Sequence, residues 1–205
     1  ATYTVGMGNE ASTASGTGGV GVLQHTVQWA KQATGGESPS ARDGHVFVSA
    51  VGSSRAYLFG GMTKELVESN DLFVFNSETL VWTQIVKSEG AAWPAPRANA
   101  TASVVGGKLY LFGGMNGDTG GWLGDLWALD LSTNVWSEQV VVGQLPSPRD
   151  KLASAVIGNQ IVFFGGFGPT VNLDDDDDDD EEGEAAGDQG AYASWTWFND
   201  VFVLN

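Results

Sequence analysis

The stretch KLYLFGGMNGDTGGWLGDLWALDLSTNVW, residues 108–136, combines a short apolar run, a glycine pair, a second apolar run and a tryptophan. Its first part recurs twice elsewhere in the 205-residue sequence. The three copies read AYLFGG at 56–61, LYLFGG at 109–114 and IVFFGG at 161–166. Their glycine pairs are spaced by 53 and 52 residues, so the stretch is one copy of a repeated unit and not an isolated glycine-rich loop.

Each repeat contains further matching segments around the glycine pair. The apolar runs that follow the pair are NDLFVFN at 70–76, GDLWALD at 124–130 and NDVFVLN at 199–205. Segments ending in Trp come next, TLVW at 79–82 and TNVW at 133–136, and an earlier copy, TVQW, lies at 26–29. Turn signals such as Gly-Gly and Gly-Asn separate the runs, which predicts β-hairpins. Four short strands per repeat with a period of about 50 residues are typical of a propeller blade.

Together these elements resemble the kelch-repeat family. The resemblance rests on the glycine doublet, on a tryptophan about 21 to 23 residues later, and on the intervening strand that begins with Asp. It implies an all-β fold of kelch-type propeller blades, with about three four-stranded blades in a partial or open propeller. The expected blade units are residues 42–82, 97–136 and 149–205, in a propeller region at 26–205 that follows a flexible N-terminal segment at 1–25.

The third repeat is similar to a narrower group within that family. PRDKLASAVIGNQIVFFGGFG at 148–168, followed after an insertion by WTWFNDVFVL at 195–204, resembles kelch-domain substrate receptors of cullin-RING ubiquitin ligases. This likeness implies a substrate adaptor for ubiquitin ligation. In such receptors, basic residues on the propeller face meet the carboxylate end of substrate peptides. From the kelch pattern the chain departs at one place: only the first repeat keeps RDGH, at 42–45, while the others read RANA and RDKL.

The predicted strands do not complete a ring. The sequence starts with one strand of the fourth type near residues 26–31 and stops after the third strand of the last repeat. Three blades are too few for a closed propeller, which needs four to eight. We therefore expect either a fragment of a longer chain or two copies that assemble as a homodimer into a six-bladed ring. The first residue is not Met, which favours the fragment.

The charge of the chain is strongly negative and unevenly distributed. The formal net charge is −16, and residues 174–188 contain eleven acids and no base. Such dense like charge predicts a disordered acidic insertion at 171–192. Without a basic face, nucleic-acid binding is not expected. No apolar run is long enough to span a membrane and no signal peptide is recognisable, so we expect no membrane partner and a cytoplasmic or nuclear location.

Three arginines occupy one register of the repeat, at Arg42, Arg97 and Arg149. They are candidates for partner binding, because a guanidinium fork suits a carboxylate. The alternative is that each arginine ties its own loop to the neighbouring blade. Lys151 departs from the repeat and adds charge beside Arg149, which makes that corner the better ligand candidate.

The tryptophans divide into two groups. Trp29, Trp82 and Trp136 recur at the repeat period, which predicts core residues packed between blades. Trp93 and Trp122 break the pattern in predicted loops, where an aromatic side chain is a candidate interface anchor.

Residues for catalysis are scarce. The sequence has no Cys and two histidines, His25 and His45, which are predicted on different strand edges. We therefore assign no catalytic residue, no metal site and no cofactor. The predicted function is a non-enzymatic scaffold that binds a protein or peptide partner. The alternative is a fragment of a kelch-type propeller enzyme whose catalytic residues lie outside this sequence.

Overall fold

The structure, a computed structural model, describes residues 28–118, 120–170 and 194–205. It divides into two compact units, Ala1–Lys31 and Gln32–Asn205. In the first unit the described residues, 28–31, form no strand, and Trp29 is 95 % exposed. Over these residues the predicted fourth-type strand is wrong, and so is the core position of Trp29. An apolar alternation specifies which side chains face a core, but a strand also needs a second backbone for its hydrogen bonds.

The second unit is built from β-strands, and its described residues include no helix. The strands in chain order are β1 (Gly35–Gly36), β2 (Arg42–Asp43), β3 (Val46–Ser49), β4 (Arg55–Phe59), β5 (Met62–Thr63), β6 (Leu72–Asn76), β7 (Val81–Ile85), β8 (Thr101–Val105), β9 (Lys108–Phe112), β10 (Met115–Asn116), β11 (Gly121–Trp122), β12 (Leu126–Asp130), β13 (Val135–Glu138), β14 (Ala153–Ile157), β15 (Gln160–Phe164), β16 (Phe167–Thr170), β17 (Ser194–Trp197) and β18 (Val201–Leu204).

Three antiparallel meanders form the blades. Blade 1 pairs β3, β4, β6 and β7 in order, and blade 2 pairs β8, β9, β12 and β13. Blade 3 pairs β14, β15 and β18. At the outer edge of blade 1, β1 adds a short parallel pairing to β7. The all-β fold of kelch-type propeller blades is confirmed, because each apolar run of the repeat forms one strand and glycines with positive φ, such as Gly107 (76°), close the hairpins.

The glycine doublets join consecutive blades. The N–H of Gly114 donates to the carbonyl oxygen of Arg149 at 2.9 Å, and the N–H of Gly61 donates to that of Arg97 at 2.8 Å. A Cβ at Gly113 would lie 2.5 Å from the Arg149 oxygen, and Gly113 has a φ of 69°. Glycine is required there because the backbone turns sharply while another backbone lies directly against it.

The core lies between the blades. One cluster joins the face of blade 1 that carries Tyr57 and Phe59 to the face of blade 2 that carries Trp136. Trp136 is 2 % exposed and its ring contacts Phe59 at 5.2 Å between centroids, so its predicted core position is confirmed. A second cluster joins blade 2 to blade 3, where Phe112 meets Phe163 at 5.8 Å. Burial of such side chains stabilises each junction by roughly 2–3 kcal/mol per residue.

Additional two-stranded ribbons extend from the blades between their second and third main strands. Blade 2 carries β10 paired with β11, and blade 3 carries β16 paired with β17, while β5 of blade 1 pairs with β2. The ribbons of blades 2 and 3 occur at the same place in the repeat. In blade 1, β5 occupies that place, but its partner β2 precedes the first main strand. The acidic insertion predicted at 171–192 and the flexible segment predicted at 1–25 lie outside the described residues.

Candidate functional site

The repeated arginines are internal ties of the blades. Arg97 has a fully buried side chain and forms a bidentate pair with Asp125, at 2.6 and 2.8 Å. It also donates to the carbonyl oxygen of Gly113 at 3.1 Å. The arginine thereby connects the segment entering blade 2 to the ends of its second and third strands.

The other two arginines make equivalent contacts in their own blades. Arg149 donates to Asp200 at 2.6 Å and to the Gly165 carbonyl oxygen at 3.1 Å. Arg42 donates to Asp71 at 3.0 Å and to the Gly60 carbonyl oxygen at 3.1 Å.

This geometry favours the second of the two alternatives predicted for Arg42, Arg97 and Arg149. The side chains are at most 4 % exposed, so a partner's carboxylate would have to displace an internal carboxylate and two strand ends to reach them. The three arginines thus make structural ties within their blades, and partner binding by them stays a prediction. A sequence signal for this role exists, since an Asp directly precedes the third main strand of every blade, at 71, 125 and 200.

The Arg97 and Asp125 pair also controls the acidity of the carboxyl group. Burial raises the pKa of Asp125, but the hydrogen bonds and positive charge of Arg97 and a hydrogen bond from Trp127 outweigh it. The pKa of Asp125 therefore lies below its ordinary value.

Trp93, predicted as an exposed interface anchor, is half-buried inside the junction of blades 1 and 2. Its indole Nε1 donates to the carbonyl oxygen of Asn70 at 2.8 Å, and its ring lies 6.4 Å from that of Trp136. Its polar atom is satisfied and its partly buried ring packs against the core, so the structure favours packing over the predicted anchor role, which stays a prediction. Trp93 has no counterpart in the other repeats, and for that reason the sequence pattern indicated a loop position at the surface.

A left-handed backbone position precedes the first strand of each blade. It is occupied by Gly44, Asn99 and Lys151, whose φ angles are 58°, 57° and 57°. The N–H of Asn99 donates to the Gly44 oxygen at 2.7 Å, and the N–H of Lys151 donates to the Asn99 oxygen at 2.9 Å. These hydrogen bonds connect the segments that lie just before the first strands of the three blades. Lys151 of blade 3 therefore lies at the end of the blades where these segments meet.

Lys151 and Trp122 are the two predicted site residues that the fold brings together, and a buried carboxylate connects them. Asp150 is fully buried; its Oδ1 accepts from Trp122 Nε1 at 3.1 Å and its Oδ2 accepts from Lys151 Nζ at 2.5 Å. Asn99 donates to the same carboxylate at 3.5 Å. The Lys151 charge is therefore compensated within the protein.

Around this carboxylate lies an exposed group of aromatic rings, here called the aromatic platform, formed by Trp122, Phe167, Trp195 and Trp197. The ring of Trp122 lies 4.5 Å from Trp195 and 5.8 Å from Phe167, and Phe167 lies 4.8 Å from Trp197. Trp195 is 53 % exposed and Trp197 is 71 % exposed. Lys151 Nζ lies 5.6 Å from the centre of the Phe167 ring.

The ribbons of two blades hold the aromatic platform. Trp122 belongs to β11, Phe167 to β16, and both other tryptophans to β17, where register pairs Phe167 with Trp197. A depression of about 220 Å³ lies beside the rings, lined by Trp122, Trp195, Pro148 and Pro169 among others. Sequence reasoning found Trp122 but missed Asp150, Phe167 and the WTW segment, whose alternate tryptophans face one side of a strand.

Groups for chemistry are sparse in the part of the chain that the structure describes. It contains no cluster of three His, Asp or Glu side chains that would hold a metal ion. The pKa of His45 is lowered by burial and by the charge of Arg42, against the opposing effect of Asp43. His25 lies outside the described residues.

The blades define a β-propeller repeat protein, and comparison with known proteins gives its family. The family model of the KLHDC2/KLHL20/DRC7 Kelch-repeats domain matches residues 17–177, so the chain belongs to the kelch-repeat family. Members of this family commonly mediate protein–protein interactions.

Several curated proteins are similar to the chain. Human host cell factor 2 is 34 % identical over 151 residues, 65 % of this chain and 18 % of that protein. Human host cell factor 1 is 34 % identical over 164 residues, 71 % of this chain and 8 % of that protein. Acyl-CoA-binding domain-containing protein 4 of Arabidopsis thaliana is 34 % identical over 143 residues, 69 % of this chain and 20 % of that protein. The chain thus spans at most a fifth of the length of these relatives.

Among the residues that the structure describes, no helix is long and apolar enough to cross a lipid bilayer.

Proposed function

We propose that the chain is a non-enzymatic scaffold that binds a protein or peptide segment on the aromatic platform. The observation that carries the proposal is the exposure of Trp195 and Trp197 beside Trp122, on ribbons from two neighbouring blades. Large rings supply contact area at a small cost in conformational entropy, and they are the residues that dominate binding energies at protein interfaces.

The support beneath the rings favours this use. Trp122 is held by the buried Asp150, which Lys151 and Asn99 also contact. Ring contacts then pass from Trp122 to Phe167 and on to Trp197. A binding surface that is already ordered loses less entropy when the partner arrives. Lys151 and Trp122 therefore act as one unit in the proposed site, with the lysine neutralising the carboxylate that orients the indole.

The finer proposal is that the scaffold selects substrates for ubiquitin ligation. The PRDKL and WTWFND segments of the third repeat support it through their likeness to cullin-RING substrate receptors. As part of the same proposal, the protein is located in the cytoplasm or the nucleus. Its partner is then neither a nucleic acid nor a membrane. Native immunoprecipitation of the full-length protein, probed for cullin subunits, tests it: their absence would contradict the adaptor role and leave peptide binding intact.

A peptide array tests the binding site itself. Each peptide is presented once with a free carboxyl end and once amidated, and capture of the 205-residue chain is measured. We expect capture to fall at least about tenfold in Trp197→Ala and in Trp122→Ala. Phe47→Ala is the matched control, because Phe47 is a 49 % exposed aromatic residue on blade 1. Undiminished capture by both tryptophan variants, or capture of no peptide, would contradict the proposed site.

The free and amidated ends decide whether a terminal carboxylate is recognised. Arg42, Arg97 and Arg149 are engaged in internal pairs, and Lys151 is paired with Asp150. We therefore expect both forms to be captured equally. Preferential capture of free ends, lost in Lys151→Gln, would restore the carboxylate interpretation of that corner.

A homodimer is a separate proposal about the exposed outer faces. Phe164 and Val201 are 54 % and 61 % exposed, and they occupy the repeat positions at which Phe112 and Leu126 pack on the next blade. A second copy offers a matching surface around Trp82, which occupies the position of Trp136. Sedimentation of the chain and of Phe164→Asp tests this; a wild-type chain that remains monomeric at high concentration would contradict it.

A further inference from the structure

The aromatic platform also indicates the charge of its partner. We propose, building on the proposed function, that it docks a basic, arginine-containing segment of a protein, with a guanidinium stacked on the exposed indole rings. Three features of the molecule support this docking: the compensated charge of Lys151, the exposure of the tryptophan rings, and the acidic sequence next to the ribbon.

The cation that contacts the platform is not available to an anionic partner. Lys151 Nζ lies 2.5 Å from Asp150 Oδ2, and Asp150 is fully buried. A carboxylate ligand would have to compete with this pair, whose separation would leave a buried charge without its counter-ion. The platform is therefore poorly suited to a carboxylate or a phosphate.

The exposed ring faces favour the opposite charge. Indole has the strongest negative potential on its face among aromatic side chains, and it attracts guanidinium and ammonium groups. Trp197 is 71 % exposed and Trp195 is 53 % exposed, with the Phe167 ring 4.8 Å from Trp197. Arginine is the better match than lysine, because its planar group stacks on an aromatic ring and is more weakly hydrated.

The charge around the platform complements such a segment. β16 and β17 are the ends between which residues 171–193 are inserted, and Thr170 pairs with Ser194, the residue next to Trp195. That insertion carries eleven acids and no base, and the whole chain has a formal charge of −16. The residues that flank the insertion in the sequence, Thr170 and Ser194, belong to the ribbon that bears two of the tryptophans, so the acidic sequence is covalently joined to that ribbon. A basic segment is attracted over a Debye length of about 8 Å at physiological salt.

The experiment measures binding of fluorescently labelled, amidated peptides to the 205-residue chain by anisotropy. Four peptides share one Gly, Ser and Phe framework and differ at three positions, which are Arg, Lys, Gln or Glu. We expect the Arg peptide to bind about tenfold tighter than the Gln peptide, with Lys between them and Glu weakest. Binding of the Arg peptide is expected to weaken as salt is raised.

Three protein variants separate the platform from the acidic insertion. Trp197→Ala and Trp197→Leu remove the indole face, and the leucine variant keeps apolar area. A third variant replaces the acids at 174–182 with Asn and Ser, in a segment outside the described residues. We expect both Trp197 variants to lose about tenfold in Arg-peptide affinity and most of the preference for Arg over Gln. The neutralised variant is expected to lose about fivefold and most of the salt dependence, yet to keep a preference for Arg.

The outcomes distinguish the two proposals. If the Gln or Glu peptide binds as tightly as the Arg peptide and Trp197→Ala abolishes binding, the platform binds peptides but the charge inference is overturned. If the Arg peptide binds both Trp197 variants as tightly as wild type and fails to bind the neutralised variant, the acids act alone and the platform has no role. Circular dichroism and thermal unfolding of each variant confirm that the blades remain folded, and Phe47→Ala serves as the surface control.

Discussion

Trp82 and Trp136 occupy the same position of consecutive repeats, yet they have different surroundings. Trp136 is 2 % exposed and packs across the blade junction against Phe59. Trp82 is half-buried on the opposite face of blade 1, where its ring contacts Phe47 and Phe75 of its own sheet at 5.8 and 4.8 Å. The repeat determines to which face of a sheet a side chain points, and the neighbouring blade determines how deeply that side chain is buried.

The arginine ties show the same contrast. Arg97 of blade 2 makes two hydrogen bonds to Asp125, whose side chain is 24 % exposed. Arg42 of blade 1 makes one to Asp71, whose side chain is 38 % exposed. The arginine–aspartate pair is therefore more deeply buried in blade 2, which packs against a neighbouring blade on each face, than in blade 1.

Truncation of the two tryptophans is expected to give the largest effect. Trp136→Ala should lower the free energy of unfolding by about 4 kcal/mol, because it leaves a cavity between two blades. Trp82→Ala should cost about 1–2 kcal/mol, because part of its ring is already in water. Urea denaturation followed by circular dichroism measures both values. Equal losses of unfolding free energy in the two variants would contradict the difference in burial between Trp82 and Trp136.

Removal of the arginines is expected to give the next largest difference. Arg97→Ala should cost about 3 kcal/mol, because it leaves Asp125 and a strand-end carbonyl without their donor in a buried corner. Arg42→Ala should cost about 1 kcal/mol, since Asp71 is more accessible to water. Arg97→Lys controls for charge and should recover only part of the loss, because lysine lacks the bidentate fork. Full recovery would contradict the importance of that geometry.

Acid should weaken the middle blade through Asp125. Its pKa in the folded protein is below the unfolded value, so its contribution to stability is complete above the unfolded pKa of about 4 and is lost as pH falls through the folded pKa. We expect Asp125→Asn to reduce the slope of stability against pH in this acidic range. Asp130, whose hydrogen bonds with Ser132 lower its pKa to about 2, titrates in both proteins and cancels in the comparison. An unchanged slope would contradict the assignment.

A turn residue should give the smallest effect. Leu80 of blade 1 and Asn134 of blade 2 occupy the same hairpin position, with φ angles of 58° and 57°. Leucine is strained in this left-handed region, whereas asparagine tolerates it. Leu80→Asn is therefore expected to raise the free energy of unfolding by about 0.5 kcal/mol, and Asn134→Leu to lower it by a similar amount. Thermal unfolding measures the shifts; changes of the reverse sign would show that side-chain packing outweighs backbone strain.

The candidate site was only partly predictable from the sequence. Trp122 and Lys151 stand out because they break the repeat, and the structure brings them together. Trp93 breaks the repeat in the same way but packs against the core, since its indole finds a backbone acceptor in blade 1. Deviation from a repeat thus identifies residues that have a special environment, but it does not distinguish an exposed environment from a buried one.

The local architecture of this protein follows from its repeat pattern. The 53- and 52-residue spacing of the glycine doublets and the alternation of the apolar runs specified the main strands of the three blades and their order. These are short-range properties, because a strand has a period of two residues and a tight turn needs particular backbone angles.

The role of each side chain depends on how the blades pack together. The tertiary structure brought Arg97 to Asp125, 28 residues away along the chain, and joined the platform through Asp150 and the ribbons of two blades. The role of a charge or a ring depends on the partner it meets and on the water it loses. Those depend on how separate blades pack against one another, which no single repeat encodes.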